Sequence, residues 1–160
     1  MNKQDMSFLH KQYSMKKFIF SLVIPLALVL SAGTCKKETA SSHFKIPFRN
    51  NSSKAVYAAW DGSYPDTIAF RFGNIVGFPQ YYKVESGQTN VSALTTGSAG
   101  SFENILQYQI SSRKIMIYVF DAAIIENTPI DTIKKNYMVL KRYDLTLEDL
   151  RAKNWIIEYP

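Results

Sequence analysis

The sequence predicts a mainly β protein with a single β-sandwich domain, immunoglobulin-like, and two or three short helices near the C-terminus. Three observations lead to this fold class. The chain has 160 residues, which suggests one domain. From His43 onward, apolar and polar residues alternate with the period of two that is typical of half-buried strands. About eight such runs are separated by turn residues and short helical patterns, which favours a sandwich over a parallel α/β sheet.

The strands are predicted from this alternation in chain order. Phe44, Ile46 and Phe48 alternate with polar residues, and Pro47 indicates an edge strand because it lacks an N–H donor. Residues 113–120 are the most apolar run and are expected at the centre of the sheet. The other predicted elements are strands at 54–60 and 67–72, a hairpin of 80–84 with 89–94, a short helix at 101–109, and strands at 137–143 and 155–159.

Two helix signals precede the last two strands. Thr128 is expected to cap a helix that begins at Pro129, and Thr146 to cap another, each with an acidic residue three positions later. The two segments align at a constant offset of 18 residues. Each places an asparagine, Asn136 or Asn154, where a left-handed helix exit is expected. We interpret the similarity as shared local physics and not as a solenoid repeat.

Residues 15–34 have the three-part pattern of a secretory signal peptide. Two lysines after Met15 precede an apolar run at 18–30, and small residues follow at 31–34. The run is too short for a ~30 Å hydrocarbon core, which needs about 20 apolar residues. We therefore expect translation to start at Met15, with 1–14 a start-site artefact, and we expect export. An uncleaved N-terminal anchor is the alternative.

Cys35, the one cysteine of the chain, directly follows the small residues of the leader. Its position resembles the acceptor of a bacterial lipoprotein signal, which implies acylation, for example with palmitate. Residues 35–42 are then a lipidated tether and 43–160 the globular domain. The predicted location is the outer membrane, on its periplasmic or surface face. The alternative is a secreted soluble protein with a free thiol at Cys35.

The residue types that carry catalysis are sparse, so no enzyme, metal site or cofactor is predicted. His43 is the only histidine after signal removal and is expected to be a solvated linker residue. Asp121, Glu126, Asp131 and Asp144 lie within 24 residues, and paired acids could cleave glycosidic bonds. Helix capping and turn formation explain these acids better. One cysteine excludes a cysteine-based zinc site, and no nucleotide-binding or calcium-loop motif is present.

The charge distribution argues against a nucleic-acid partner. Residues 1–34 carry four lysines and one aspartate, so half of the formal net charge of +6 lies in the leader. The remaining chain has no basic tract of the kind that nucleic-acid binders use. The oligomeric state stays open.

Four aromatic residues in or beside loops are the candidate ligand-binding residues. Trp60, Tyr64, Tyr81 and Tyr82 could stack on sugar rings or anchor a protein partner. Core packing is the alternative for Trp60 and for one of the two adjacent tyrosines. Tyr64, between Ser63 and Pro65, is expected to be the most exposed.

The C-terminal motifs resemble a group of small lipoproteins from Bacteroidota. The matching segments are VFDA at 119–122, ENTPIDTI at 126–133, VLKRYDLTLEDL at 139–150 and NW at 154–155. The resemblance implies export, lipidation and a small β-rich domain, and it assigns no activity or site residue. We expect a non-enzymatic, lipid-anchored interaction or structural module with an envelope protein or glycan partner. A carbohydrate-binding accessory protein is the first alternative, and a hydrolase is the second.

Overall fold

The structure of the protein is a computed structural model that describes residues 42–66, 75 and 77–160. The predicted signal peptide, Cys35 and the predicted strand at 67–72 lie outside the described residues. Within the described ranges, no helix combines the length and the apolar character needed to cross a bilayer.

Seven described strands form two sheets, which confirms the mainly β part of the prediction. The strands are β1 (Lys45–Asn50), β2 (Val56–Asp61), β3 (Lys83–Val84), β4 (Thr89–Thr95), β5 (Ile115–Asp121), β6 (Lys141–Leu145) and β7 (Ile157–Tyr159). The first sheet has the order β4-β1-β7, and the second has the order β3-β2-β5-β6. The β1–β7 pair is parallel, whereas all the other pairs are antiparallel.

One apolar core is shared by the two sheets. It contains Ile46 and Phe48 of β1 together with Ile117 and Val119 of β5, all without solvent exposure. Because side chains alternate along a strand, each of these pairs marks the inner face of its sheet. The two sheets therefore pack as a sandwich.

The other face of the second sheet is also covered. A second cluster joins Tyr57 of β2, Tyr118 and Phe120 of β5, and Ile133 of a helix. Every residue of Ile115–Phe120 is consequently buried, which explains why this run is continuously apolar rather than alternating. β5 is an inner strand of its sheet, as predicted.

Five short helices lie between the described strands. They are α1 (Pro79–Tyr82), α2 (Phe102–Asn104), which continues as a π-helical turn over Ile105–Gln109, α3 (Ala122–Asn127), α4 (Ile130–Lys135) and α5 (Leu147–Ala152). The Ser101 hydroxyl caps α2 by accepting a hydrogen bond from the Asn104 N–H. Thr146 and Asp149 form a reciprocal capping box at the start of α5. Polar caps thus set where these short helices begin.

The predicted hairpin of 80–84 with 89–94 is wrong. β3 pairs with β2 in the second sheet, whereas β4 pairs with β1 in the first. The turn between β3 and β4 therefore carries the chain from one sheet to the other. Pro79 begins α1, which takes up most of the predicted first strand.

Asn50 joins the two sheets at this crossing. The side chain is fully buried at the end of β1, and its Nδ2 lies 2.7 Å from the Lys54 carbonyl and 3.0 Å from the Val84 carbonyl. A third, longer contact of 3.2 Å reaches the Glu85 carbonyl. The Oδ1 atom accepts hydrogen bonds from the backbone and hydroxyl of Ser52. One amide side chain thus satisfies the backbone at three separate places.

Pro47 lies in an inner strand, so the predicted edge position is wrong. β1 is flanked by β4 and β7. The register of β1 against β4 shifts between Ile46 and Phe48. Because a bulge leaves its extra residue outside the ladder, the missing N–H of Pro47 costs no strand pairing there.

The last two helices end alike, but at an offset of 17 residues and not 18. Left-handed backbone occurs at Tyr137 (φ 46°) and at Asn154 (φ 50°), so Asn136 does not take the predicted role. The cause is at the start of α4, where Pro129 is the N-cap residue and Thr128 does not cap the helix. The first helix therefore begins one residue later than predicted.

Candidate functional site

A groove of about 480 Å³ opens where the described chain begins. It lies on the outer side of the first sheet, because its walls come from outward positions of β1 and β4 and from the segment before β7. The lining residues are His43, Lys45, Pro47, Val91, Asn154, Trp155 and Ile156.

His43 is fixed at one end of this groove. Its ring stacks on the Trp155 indole with a centroid separation of 3.8 Å and an interplanar angle of 13°. Its Nδ1 lies 2.6 Å from Glu103 Oε1, and its backbone N–H donates to Glu103 Oε2 at 2.9 Å. The expectation of a solvated linker residue is therefore wrong, because tertiary contacts hold both the ring and the backbone of His43.

Glu103 is the buried anchor of this contact, with 9% of its surface exposed. Burial alone would raise the pKa of the carboxyl, but the hydrogen bonds from His43 outweigh burial and hold the pKa below its ordinary value. Because the carboxylate can only accept hydrogen bonds, the His43 Nδ1 is the donor.

Trp155 is presented by the end of α5. The N–H groups of Asn154 and Trp155 donate to the carbonyls of Arg151 and Leu150, which is the Schellman pattern. Trp155 itself has a φ of 59°, a conformation that is uncommon for a bulky residue. The helix end and the His43 stack together define where the indole lies.

The rest of the groove combines exposed apolar groups with positive charge. Val91 is 59% exposed and Ile156 is 36% exposed. Lys45 is exposed on β1. Next to the groove on the same sheet, Arg49 Nη1 lies 3.0 Å from Glu158 Oε1, so this acid is already neutralised.

A second cleft, of about 410 Å³, lies at the opposite sheet beside α3. The Glu126 carboxylate accepts a hydrogen bond from the Tyr57 hydroxyl at 3.0 Å and lies 2.8 Å from Lys83 Nζ. Asp121 caps α3 and lies 3.6 Å from Lys54 Nζ. Each acid in this cleft therefore already has a lysine partner.

The pKa shifts in the second cleft reflect these mutual contacts. Burial, aided by the hydrogen bond to Glu126, raises the pKa of Tyr57 to about 12. The hydrogen bond with Lys83 lowers the pKa of Glu126, and the same contact raises the pKa of Lys83. Both charged partners are thus held ionised, which suits a structural tie better than proton transfer.

The four acids weighed in the sequence do not form one catalytic pair. Asp121 and Glu126 share the second cleft. Asp144 is bound by Arg142 through two hydrogen bonds of 2.5 and 2.9 Å. Asp131 lies in the first turn of α4. Among the described residues, no group of three or more histidine, cysteine or acidic side chains is placed to hold a metal ion.

The four predicted aromatic residues are not gathered at one surface. Trp60 packs against the core shared by the sheets and donates its Nε1–H to the Thr95 carbonyl at 2.8 Å. Tyr64 and Tyr82 pack against the second cluster. Tyr81 is 50% exposed, beside the similarly exposed Phe78.

Tyr64 is partly buried, although the sequence analysis expects it to be the most exposed of the four. Two cations lie over its ring: Lys114 Nζ is 5.0 Å and Arg142 Cζ is 5.8 Å from the centroid. The rings of Tyr64 and Tyr81 thus have different surroundings, and only the latter presents half of its surface to solvent.

Sequence reasoning missed the residues of the groove. His43 and Glu103 are 60 positions apart, and no local pattern joins them. The one available signal is Asn154, because a left-handed asparagine after a capped helix predicts a sharp turn at Trp155. No known family model, no curated protein and no solved structure matches the chain.

Proposed function

We propose that the protein is an exported cell-envelope lipoprotein, held at the outer membrane through acylated Cys35, whose sandwich acts as an interaction or structural module. The proposal includes the resemblance to Bacteroidota lipoproteins, the immunoglobulin-like class of the sandwich and a non-enzymatic role. Its partners are the membrane, through the lipid, and an envelope protein or glycan. The groove beside His43 carries the proposal, because a built surface lies where the tether joins the domain.

The charged groups support a binding role over a catalytic one. In both clefts the described acids already have partners: Glu103 binds His43, Glu126 binds Lys83 and Asp121 binds Lys54. A general acid or base needs a proton-exchanging group that faces the substrate. Ionised pairs of this kind hold elements together and leave recognition to the remaining surface.

Replacing Cys35 with serine tests the anchor directly. Cells grown with a palmitate analogue should incorporate label into the wild-type protein and none into Cys35→Ser. Stable anchoring needs at least two acyl chains or a second membrane signal, so loss of the acyl group should also move the protein from the membrane pellet to the soluble fraction.

Ser31→Ala is the matched control, since it changes the leader without removing the acceptor thiol and should keep the label. An unlabelled wild-type protein would contradict the anchor and favour the secreted alternative with a free thiol.

Carbohydrate binding is the second candidate function, and the exposed Phe78–Tyr81 pair favours it. Tyr81→Ala should remove a stacking face worth about 0.5–1.5 kcal/mol and abolish retardation in polysaccharide affinity gels. The melting temperature should stay unchanged because the ring is half exposed. Tyr108→Ala is the control, since Tyr108 is 79% exposed in a different groove. Equal migration of wild type and Tyr81→Ala would eliminate this candidate.

A further inference from the structure

We propose that the groove face of the first sheet docks on the anionic lipid surface of the membrane that carries the anchor. The occupant of the groove is thus a bilayer surface, with Trp155, Val91 and Ile156 at the lipid interface and Lys45 at the headgroups. This inference rests on the proposed lipid anchor and adds an orientation of the domain to it.

The length of the tether places the groove at the membrane. Seven residues separate Cys35 from His43 in the sequence. Even fully extended, they reach at most ~25 Å. A domain of this size has a radius of gyration of about 13 Å, and so a width of about 35 Å. The tether is shorter than the domain is wide, so the end with His43 stays nearest to the bilayer.

The groove offers the side chains that favour a membrane interface. Trp155 is an amphipathic ring of the type enriched at the headgroup level. Val91 and Ile156 add exposed aliphatic surface on the two sides of the groove. The stack with His43 keeps the indole in one arrangement, so little side-chain entropy is lost when it meets the lipid.

The charge on this face matches an anionic surface. Lys45 lines the groove, and Lys153 is exposed next to Asn154. The two acids close to the groove, Glu103 and Glu158, are bound to His43 and Arg49. The tether adds two further lysines and one glutamate at 36–38. A basic residue near an anionic bilayer contributes about 1 kcal/mol, so these lysines favour docking.

Quenching of tryptophan fluorescence by brominated lipid tests the inference. The lipidated full protein is reconstituted in vesicles of dibrominated phosphatidylcholine and phosphatidylglycerol, and the signal comes from two tryptophans. Trp155 should be quenched, whereas Trp60 packs against the core and should not be. The quenched fraction should therefore disappear in Trp155→Phe.

Two lysine variants provide a readout in which both tryptophans are kept. Lys45→Gln should lower the ratio of docked to undocked protein about fivefold, which corresponds to one basic residue. Lys141→Gln is the matched control, since Lys141 is exposed on β6 of the other sheet and should change nothing. Vesicles of phosphatidylcholine alone should weaken quenching in the wild type.

The outcomes separate this inference from the proposed function. Protein that floats with the vesicles but shows no quenching of Trp155 overturns the docking and leaves the anchor intact. Protein that does not float contradicts the anchor. Equal quenching in Lys45→Gln and wild type overturns the electrostatic match. Shielding of Trp155 by a soluble envelope protein or glycan, with vesicles having no effect, assigns the groove to another occupant.

Discussion

Replacing Asn50 with alanine should lower the free energy of unfolding by about 2–4 kcal/mol. The side chain is fully buried, and its loss leaves the Val84 carbonyl without a donor that the structure shows for it. The Lys54 carbonyl and the Ser52 backbone N–H lose partners as well. Urea denaturation followed by circular dichroism measures the change.

Asn90→Ala is the matched control for this prediction. Asn90 Nδ2 also reaches three carbonyls, those of Gln80, Tyr81 and Lys83, at 3.1–3.5 Å. It is only partly buried, so water replaces some of these bonds and the loss should stay near about 1 kcal/mol. A smaller effect for Asn50→Ala than for Asn90→Ala would show that Asn50 does not hold the sheet crossing.

Glu103→Ala should destabilise the domain by about 2–3 kcal/mol, because it removes two hydrogen bonds to a buried carboxylate. The loss also leaves the His43 ring without its fixed partner. We expect weaker packing of Trp155 and a red shift of its emission. Thermal unfolding and fluorescence spectra measure the two effects.

Acid should reproduce part of this loss in the wild-type protein. The pKa of Glu103 is lower in the folded state than its ordinary value of 4.5. A lowered folded pKa means that the stabilisation is present above the ordinary value and is lost as the pH falls through the folded pKa. The stability difference between wild type and Glu103→Ala should therefore shrink below about pH 4.5.

Glu85→Ala is the control for Glu103→Ala. The Glu85 side chain is 65% exposed and pairs with Lys83 at 3.6 Å. Exposed pairs of this kind contribute at most about 1 kcal/mol, so the variant should be close to wild type. A difference between wild type and Glu103→Ala that stays constant from neutral to acidic pH would contradict the ionised contact.

The local parts of the fold could be predicted from the sequence. Alternation in β1 correctly assigned Ile46 and Phe48 to the core, and the continuous apolar run correctly indicated an inner strand at β5. The capping of α5 by Thr146 follows from its acid three residues later. These features depend on neighbours along the chain, which a sequence pattern records.

Pairing between distant segments could not be predicted in the same way. The hairpin prediction failed because the pattern of β3 and β4 gives no indication of which sheet each strand joins. Pro47 was assigned to an edge because the bulge that accommodates it arises from pairing with β4. The groove shares this origin, since His43, Glu103 and Trp155 meet only through tertiary contacts.

The parallel pairing of β1 with β7 has a consequence for the order of folding. Arg49 and Glu158, which pair across these strands, are 109 positions apart. The strand that is synthesised first among those described thus lacks one neighbour until the segment at 157–159 has been made. An exported chain would cross the inner membrane before its first sheet could close. Late closure keeps the chain threadable during translocation and delays the assembled groove until the domain has reached its destination.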